Sequence, residues 1–205
     1  MQENVGSPTA TGPSLIFRPD SFFARLDVAQ LFPQAQPLEV ELGSGDGSFL
    51  AQWAAARSQT NFLGVERLLG RLRKLDRKGR RARLTNLRLL RVEAGYFLEY
   101  LLPPASAQVV HVYFPDPWPK RKHRKNRLVN ARFPEVAKVA LQPGGTVFLR
   151  TDDVDYFAQM REVFAANNNF RATETPTALA ALLTDFERGF HARGVVTLRA
   201  AYQLI

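Results

Sequence analysis

Three groups of side chains in this sequence have the types and spacing to do chemistry. The first is Glu41-Leu42-Gly43-Ser44-Gly45-Asp46-Gly47. Glycines at 43, 45 and 47 permit positive φ and let a ligand approach the backbone closely. A helix expected just beyond them adds oriented N–H groups. The spacing is G-x-G-x-G and not the G-x-G-x-x-G of pyrophosphate binders, because position 48 is serine. Glu66 lies 23 residues after Gly43, about the distance at which an acid meets ribose hydroxyls in a nucleotide-binding β–α–β unit. Acids at 41 and 66 suit a ligand with an amino group and a ribose, and they repel phosphates. S-adenosylmethionine has those groups and no phosphate. Glu93 is placed to accept from an adenine amino group. The plainer reading of the same residues is a tight β–α turn with solvated acids.

The second group is Phe114-Pro115-Asp116-Pro117-Trp118-Pro119-Lys120. Three prolines at alternate positions each fix their own φ and push the preceding residue out of the helical region. Phe114, Asp116 and Trp118 are therefore expected to be extended, forming a stiff strut that presents one carboxylate and one indole. A fixed carboxylate accepts well from the adjacent N1–H and N2–H donors of guanine, and an indole stacks on a base. The plainer reading makes the segment a rigid turn with Trp118 as a core plug.

The third group is charge. The chain has 28 Lys+Arg against 19 Asp+Glu, a net +9, over 205 residues. Residues 67–91 hold eleven of the cations and one acid, Asp76; residues 120–132 hold seven and no acid. Such clustering points to a polyanionic partner. No apolar wedge accompanies it, which disfavours a membrane surface. The run from Lys120 to Arg127 is expected to neutralise phosphates around a captured base. The basic face of a helix at 67–83 reads equally as a secondary RNA contact or as a solvated face.

These groups need a scaffold. From residue 38 the sequence alternates short apolar runs with amphipathic ones, which predicts strands at 38–42, 61–66, 87–92, 108–114 and 146–150. Helices are predicted at 48–57, 67–83, 96–102, 130–141 and 153–166, after a short one at 21–31. The end of the chain reads as two β segments, 170–175 and 195–202, flanking a helix near 177–186. Five β–α steps imply a parallel sheet with right-handed crossovers and helices on both faces, closed by an antiparallel C-terminal edge. Each chemical group falls at the carboxyl end of a strand, where such sheets bind ligands. Residues 1–13 read as a mobile tail and 14–205 as a single domain.

Composition narrows the chemistry further. Cysteine is absent, which excludes disulfides, thiolate metal sites and a cysteine nucleophile. The histidines, at 111, 123 and 191, show no metal-ligand spacing. No long apolar run supports a membrane span, and no basic start with an apolar block marks a secretory signal. A cytoplasmic location is expected.

On the motifs ELGSGDG at 41–47, GVE at 64–66, PDPWPKRKHRKNR at 115–127, RTDD at 150–153 and TDFE at 184–187, the sequence resembles the tRNA (guanine-N7)-methyltransferase family over about residues 38–203. The resemblance implies a class I, Rossmann-like enzyme with a mostly parallel seven-stranded sheet. It would transfer a methyl group from S-adenosylmethionine, without a metal, to N7 of guanine 46 in the tRNA variable loop. It places cofactor contacts at Glu41, Glu66, Glu93, Asp116 and the glycines at 43, 45 and 47, and makes Asp116 the catalytic residue. It places substrate contacts at Lys120, Asp152, Thr184, Asp185, Phe186 and Glu187, and RNA contacts at Lys122, His123, Arg124, Lys125, Asn126 and Arg127. Glu93 stands where the family usually has Asp, and Asn126 interrupts a basic run. Thr184-x-x-Glu187 is also a helix capping box, and Thr151-Asp152-Asp153 also suits a helix start. Oligomeric state, monomer or homodimer, is left open. The alternatives are another nucleic-acid base methyltransferase, a non-catalytic RNA-binding domain, and a nicotinamide oxidoreductase. The flanking acids and the glycine spacing oppose the last.

Overall fold

A computed structural model describes residues 12–205; most of the N-terminal segment read as a tail lies outside the described residues. The strands are β1 (Ile16–Phe17), β2 (Leu38–Leu42), β3 (Asn61–Val65), β4 (Leu87–Leu90), β5 (Ala107–Tyr113), β6 (Leu141–Thr151), β7 (Phe170–Thr173) and β8 (Leu198–Leu204). They form one sheet in the order β1-β4-β3-β2-β5-β6-β8-β7. All pairs are parallel except β6 with β8 and β8 with β7, which are antiparallel. The sheet reverses direction of growth between β2 and β5. The crevice beyond the carboxyl ends of those two strands is the position at which open α/β sheets take ligands.

Helices cover both faces. α1 (Leu50–Ala56), α2 (Leu69–Arg81) and α6 (Thr177–Ala181) pack on one side around Phe62, Leu89 and Phe148. α4 (Phe133–Ala140) and α5 (Val154–Ala165) cover the other, around Val40, Leu63, Val110 and Val112. The strands are buried on both faces, so they read as continuous apolar runs. α3 (Ala94–Tyr96) continues into a π-helical turn at Phe97–Leu101, and α7 (Asp185–His191) follows α6.

The eighth strand, β1, was not expected. Its register is held by Asp76, whose Oδ1 accepts from the Leu15 N–H at 2.7 Å and from the Ser14 hydroxyl at 3.1 Å. Gly79 leaves room for this approach, since a Cβ there would meet Leu15 Cδ1 at 2.5 Å. The helix expected at 21–31 is replaced by irregular chain with one 3₁₀ turn at Val28–Gln30. Phe23 is almost fully exposed and only Leu26 is buried in the first half, so the segment has no apolar stripe wide enough to hold a helix down. The single helix expected near 177–186 is two helices, broken at Leu182 and restarted by a capping box at Thr184.

Candidate active site

At the crevice between β2 and β5 lies a cleft of about 410 Å³. Its walls include Leu42 and Gly43 from the end of β2, Glu66 after β3, Glu93 after β4, and Tyr113 to Asp116 with Trp118 after β5. Four strand ends therefore deliver Gly43, Glu66, Glu93 and the proline strut with Asp116 to one cavity, whereas Glu41, Gly45 and Gly47, also expected at the cofactor, are not among its lining residues. A larger hollow of about 640 Å³, between α5 and β7, is lined by none of these residues.

The glycine turn is built for close approach. Gly43, Gly45 and Gly47 have φ of +82°, +55° and +76°, conformations that only glycine adopts without strain. At Gly47 a Cβ would sit 2.1 Å from Leu75 Cδ1, so that glycine is needed for packing on α2; at Gly43 nothing lies within 4 Å and the space is open. Glu66 fixes the turn. One carboxylate oxygen accepts from the Gly45 N–H at 3.0 Å and the other from the Leu68 N–H at 2.7 Å. Each oxygen keeps a second lone pair for a ligand.

Glu41 is of a different kind. It is 3% exposed, and its Oε2 is buried without a hydrogen-bond partner among the described residues. Burial pushes its carboxyl up to about 8, with Glu66 and Asp46 adding to the rise and Arg150 opposing it. A buried carboxyl group with an unpartnered oxygen, beside an open glycine turn, fits a ligand that brings a positive amino group and draws the carboxyl into its ionised form. Glu93 caps α3, taking the Gly95 N–H at 2.9 Å and the Tyr96 N–H at 2.7 Å on its two oxygens. Whatever it offers a ligand comes from the remaining lone pairs.

Contrary to the expectation from sequence, the proline strut is not extended throughout. Phe114 and Trp118 have φ of +50° and +44°. Each costs about 1–3 kcal/mol for a non-glycine residue. The reason is directional. The Phe114 N–H still pairs with the Arg150 carbonyl of β6 at 2.8 Å, so the chain must turn abruptly after it to carry Asp116 over the strand ends. Asp116 is exposed and Trp118 half-exposed on the cleft wall; Trp118 is not a core plug.

Arg127 holds that geometry. Expected in the RNA-contacting run, it is 1% exposed. Its Nε donates to the Pro117 carbonyl at 2.7 Å, Nη1 to Gln159 at 2.8 Å and Nη2 to Asp155 at 2.6 Å, and its guanidinium lies 4.7 Å from the Tyr156 ring centroid. With every edge engaged, the side chain ties the strut to α5 and does not face solvent. The rest of the run, from Lys120 through the 3₁₀ turn Arg121–Asn126, is exposed apart from half-buried His123. Arg124 pairs with Asp155 at 2.8 Å, His123 leans on Trp118, and Asn126 lines the cleft.

The C-terminal residues expected to touch substrate divide sharply. Glu187 is wholly buried: it closes the capping box with Thr184 and receives Arg150 at 2.8 Å and Arg199 at 2.9 Å. Thr184 is buried with it. Asp185 pairs with Arg188 and Lys78, and its N–H donates to the Ser48 hydroxyl at 3.0 Å. Phe186 is 51% exposed and leans toward Phe114, ring centroids 6.4 Å apart. Asp153 caps α5 through the Tyr156 N–H, which leaves Asp152 half-buried and uncommitted to the cap. Lys120, Asp152 and residues 184–187 are not among the cleft-lining residues.

Two buried networks went unforeseen. Glu39 accepts from Trp53 Nε1 at 2.8 Å and from His111 Nε2 at 2.9 Å, while His111 Nδ1 lies 2.8 Å from the Tyr113 hydroxyl. Burial pushes His111 down, and Glu39 only partly offsets that. Burial alone would raise Glu39, but the bonds from His111 and Trp53 hold it low. The pair is thus a neutral imidazole donating to a carboxylate, with Tyr113 donating to Nδ1. The signal was period-two alternation of polar residues in two strands, Glu39-x-Glu41 and His111-x-Tyr113, on the same sheet face. The second network is Arg150–Glu187–Arg199.

The sheet order and the cleft at its switch point define a Rossmann-like α/β protein. The family model Methyltransf_4, described as "Putative methyltransferase", matches residues 35–199, and the chain belongs to that family. Among curated relatives, the tRNA (guanine-N(7)-)-methyltransferase of Syntrophotalea carbinolica is 40% identical over 139 residues, covering 68% of this chain and 60% of the relative. That of Geobacter metallireducens is 38% identical over 144 residues, covering 70% and 68%. The chain thus spans only part of the curated relatives it matches, less than two thirds of the first and just over two thirds of the second. The 16S rRNA methyltransferase KamB has the same fold, at TM-score 0.62 and 16% identity over 88% of this chain and 94% of that one. TrmN from Thermus thermophilus does too, at TM-score 0.61 and 16% identity over 83% and 45%. Among the described residues no group of three or more His, Asp or Glu side chains is arranged to hold a metal, and no helix is long and apolar enough to cross a membrane.

Proposed function

We infer that this protein is a tRNA (guanine-N7)-methyltransferase, using S-adenosylmethionine and acting in the cytoplasm on guanine 46 of the variable loop. The observation that carries the reading is Asp116, fixed by prolines and Arg127 on the wall of the cleft that Gly43, Glu66 and Glu93 also line. Supporting it are the names of relatives at 38–40% identity. S-adenosylmethionine, when bound, supplies an electrophilic methyl group on a sulfonium.

The chain's own residues bind and orient. Glu41 would take the cofactor's ammonium, Glu66 its ribose and Glu93 the adenine side. Asp116 would accept from N1–H and N2–H of guanine and so present N7, on the opposite edge, to the methyl. N7 carries a lone pair and no hydrogen, so no general base is needed there. The charge of Asp116 also favours a purine that is becoming cationic. Catalysis then rests on positioning reacting atoms about 3–3.5 Å apart. The exposed cations at 120–125 would hold flanking phosphates, with Asp152 and Phe186 at the substrate side. Thr184 and Glu187 would act by fixing the start of α7 beneath it.

The test is incubation with labelled S-adenosylmethionine and unmodified tRNA, followed by chain cleavage at the modified base. The reading requires label at one guanine N7 in the variable loop. Cofactor binding without transfer would point to a non-catalytic RNA-binding domain, and label on another atom to a different base methyltransferase.

A further inference from the structure

We propose that the exposed face of α2 is a second RNA-binding surface, which takes phosphates of the tRNA body while the target guanine lies in the cleft. This rests on the functional reading above and extends it from the reacting base to the rest of the polymer. Arg67, Arg71, Arg73, Lys74, Arg77 and Arg81 are all exposed. None forms a salt bridge with a carboxylate among the described residues; the ion pairs of this helix are those of Lys78 with Asp46 and Asp185 and of Arg80 with Asp76.

The helix's acid does not neutralise this face. Asp76 is buried: its Oδ1 accepts from the Leu15 N–H and the Ser14 hydroxyl, holding β1, and its Oδ2 faces Arg80, so neither oxygen reaches the exposed cations. Arg73, Arg77 and Arg81 follow one another at i, i+4, so like charges are stacked along one stripe. Such pairs weaken a helix, and a face kept only for solubility mixes signs. Here the repulsion is borne along a helix about 20 Å long, because Leu72 and Leu75 anchor its other side in the core. A polyanion relieves it.

The face is also well placed. Arg67 and Arg71 line the cleft, as do Glu66 and Asp116. Trp118, Asn126 and Leu128 line it too, and they bracket the basic 121–125 run. Both basic segments therefore border the cleft, and an RNA strand entering it meets phosphate partners from each. Leu68, between Arg67 and Arg71 on the cleft wall, is exposed, but from residue 70 to 81 the exposed positions carry no large apolar side chain, and one leucine at the end of the face is not the apolar stripe that a membrane surface requires.

The test uses the full chain with Arg73, Arg77 and Arg81, which do not line the cleft, replaced together by Gln. Affinity for an unmodified tRNA transcript is measured from 50 to 250 mM KCl, alongside cofactor affinity by calorimetry. The slope of log affinity against log salt should fall by about 2–3, roughly 0.9 for each phosphate no longer neutralised, with cofactor affinity retained. The Arg→Lys triple, which keeps the charge, should restore most of the slope. If the Gln triple loses cofactor binding, Arg77→Gln alone gives the answer, with a fall of about 0.9 expected. An unchanged slope overturns the proposal and leaves the methyl-transfer reading standing. A wild-type protein that neither binds nor methylates tRNA overturns that reading, and this surface with it. Binding to phosphatidylserine vesicles that the Gln triple loses, with the RNA slope unchanged, would assign α2 to a membrane and also overturn the proposal.

Discussion

If Glu41 receives the cofactor's ammonium, binding must take a proton off it. With its carboxyl pushed up to about 8 by burial, Glu41 is about 90% protonated at pH 7. An ion pair with the ammonium requires the carboxylate, so each bound S-adenosylmethionine should release about 0.9 proton at pH 7. Ionising the group at that pH costs about 1.4 kcal/mol, so affinity should fall about tenfold between pH 7 and pH 6. The ligand's own amino group stays charged over that window. Calorimetry in phosphate and in Tris, whose ionisation enthalpies differ, counts the protons directly. Glu41→Gln should bind at least tenfold more weakly at pH 7 and release none. The same group sets a stability slope. Its value in the folded protein lies above the ordinary 4.5, so the unliganded protein loses stability as pH rises from about 4.5 towards 8. The loss reaches about 3 kcal/mol by pH 7, and Glu41→Gln removes it. Proton release that is absent in wild type, or undiminished in the variant, refutes the assignment.

Other outcomes follow from the same geometry. Asp116→Asn should lower kcat/KM for tRNA by about 10- to 100-fold, the worth of a charge-assisted pair of bonds, a larger loss than that in affinity for S-adenosylmethionine measured by calorimetry. Arg127→Met should release the strut at Pro117, costing about 2 kcal/mol in chemical denaturation and lowering kcat more than it raises KM, with the Trp118 emission shifting as its surroundings loosen. Glu187→Gln leaves Arg150 and Arg199 under-compensated in the interior and should cost about 3–5 kcal/mol. Gly47→Ala forces a side chain at φ +76° into Leu75 and should destabilise the fold by more than about 1–3 kcal/mol.

Much of this was legible because strand burial and helix amphipathicity write themselves as residue type. The runs that became β2 to β6 and the alternation around Leu72 and Leu75 are of that kind. The acids of the cleft were readable because a strand end fixes where the next residues lie. What resisted reading depends on distant partners. β1 is two residues long and exists because Asp76 and Gly79, on a helix sixty residues later, receive it. Arg127 sits in a basic run whose neighbours face solvent, and only the fold shows that its guanidinium turns in to Pro117 and α5. Thr184 and Glu187 have the sequence of a cap and of a substrate motif at once, and only the fold shows that both side chains close the capping box, with Glu187 buried against Arg150 and Arg199. The positive φ at Phe114 and Trp118 runs against the ordinary preference before proline; at Phe114 it accompanies the hydrogen bond that keeps its N–H on β6 while the chain turns away.

In the proposed mechanism the carboxylate of Asp116 reads the N1 and N2 donors of one guanine. The direct measurement is a two-by-two comparison of methyl transfer to tRNA carrying guanosine or inosine at the target, by wild type and by Asp116→Asn. Inosine lacks the N2 amino group and keeps N7. Wild type should lose about tenfold or more in kcat/KM on inosine, while Asp116→Asn, already slow, should lose much less. Equal losses in both enzymes would contradict a contact between Asp116 and the base.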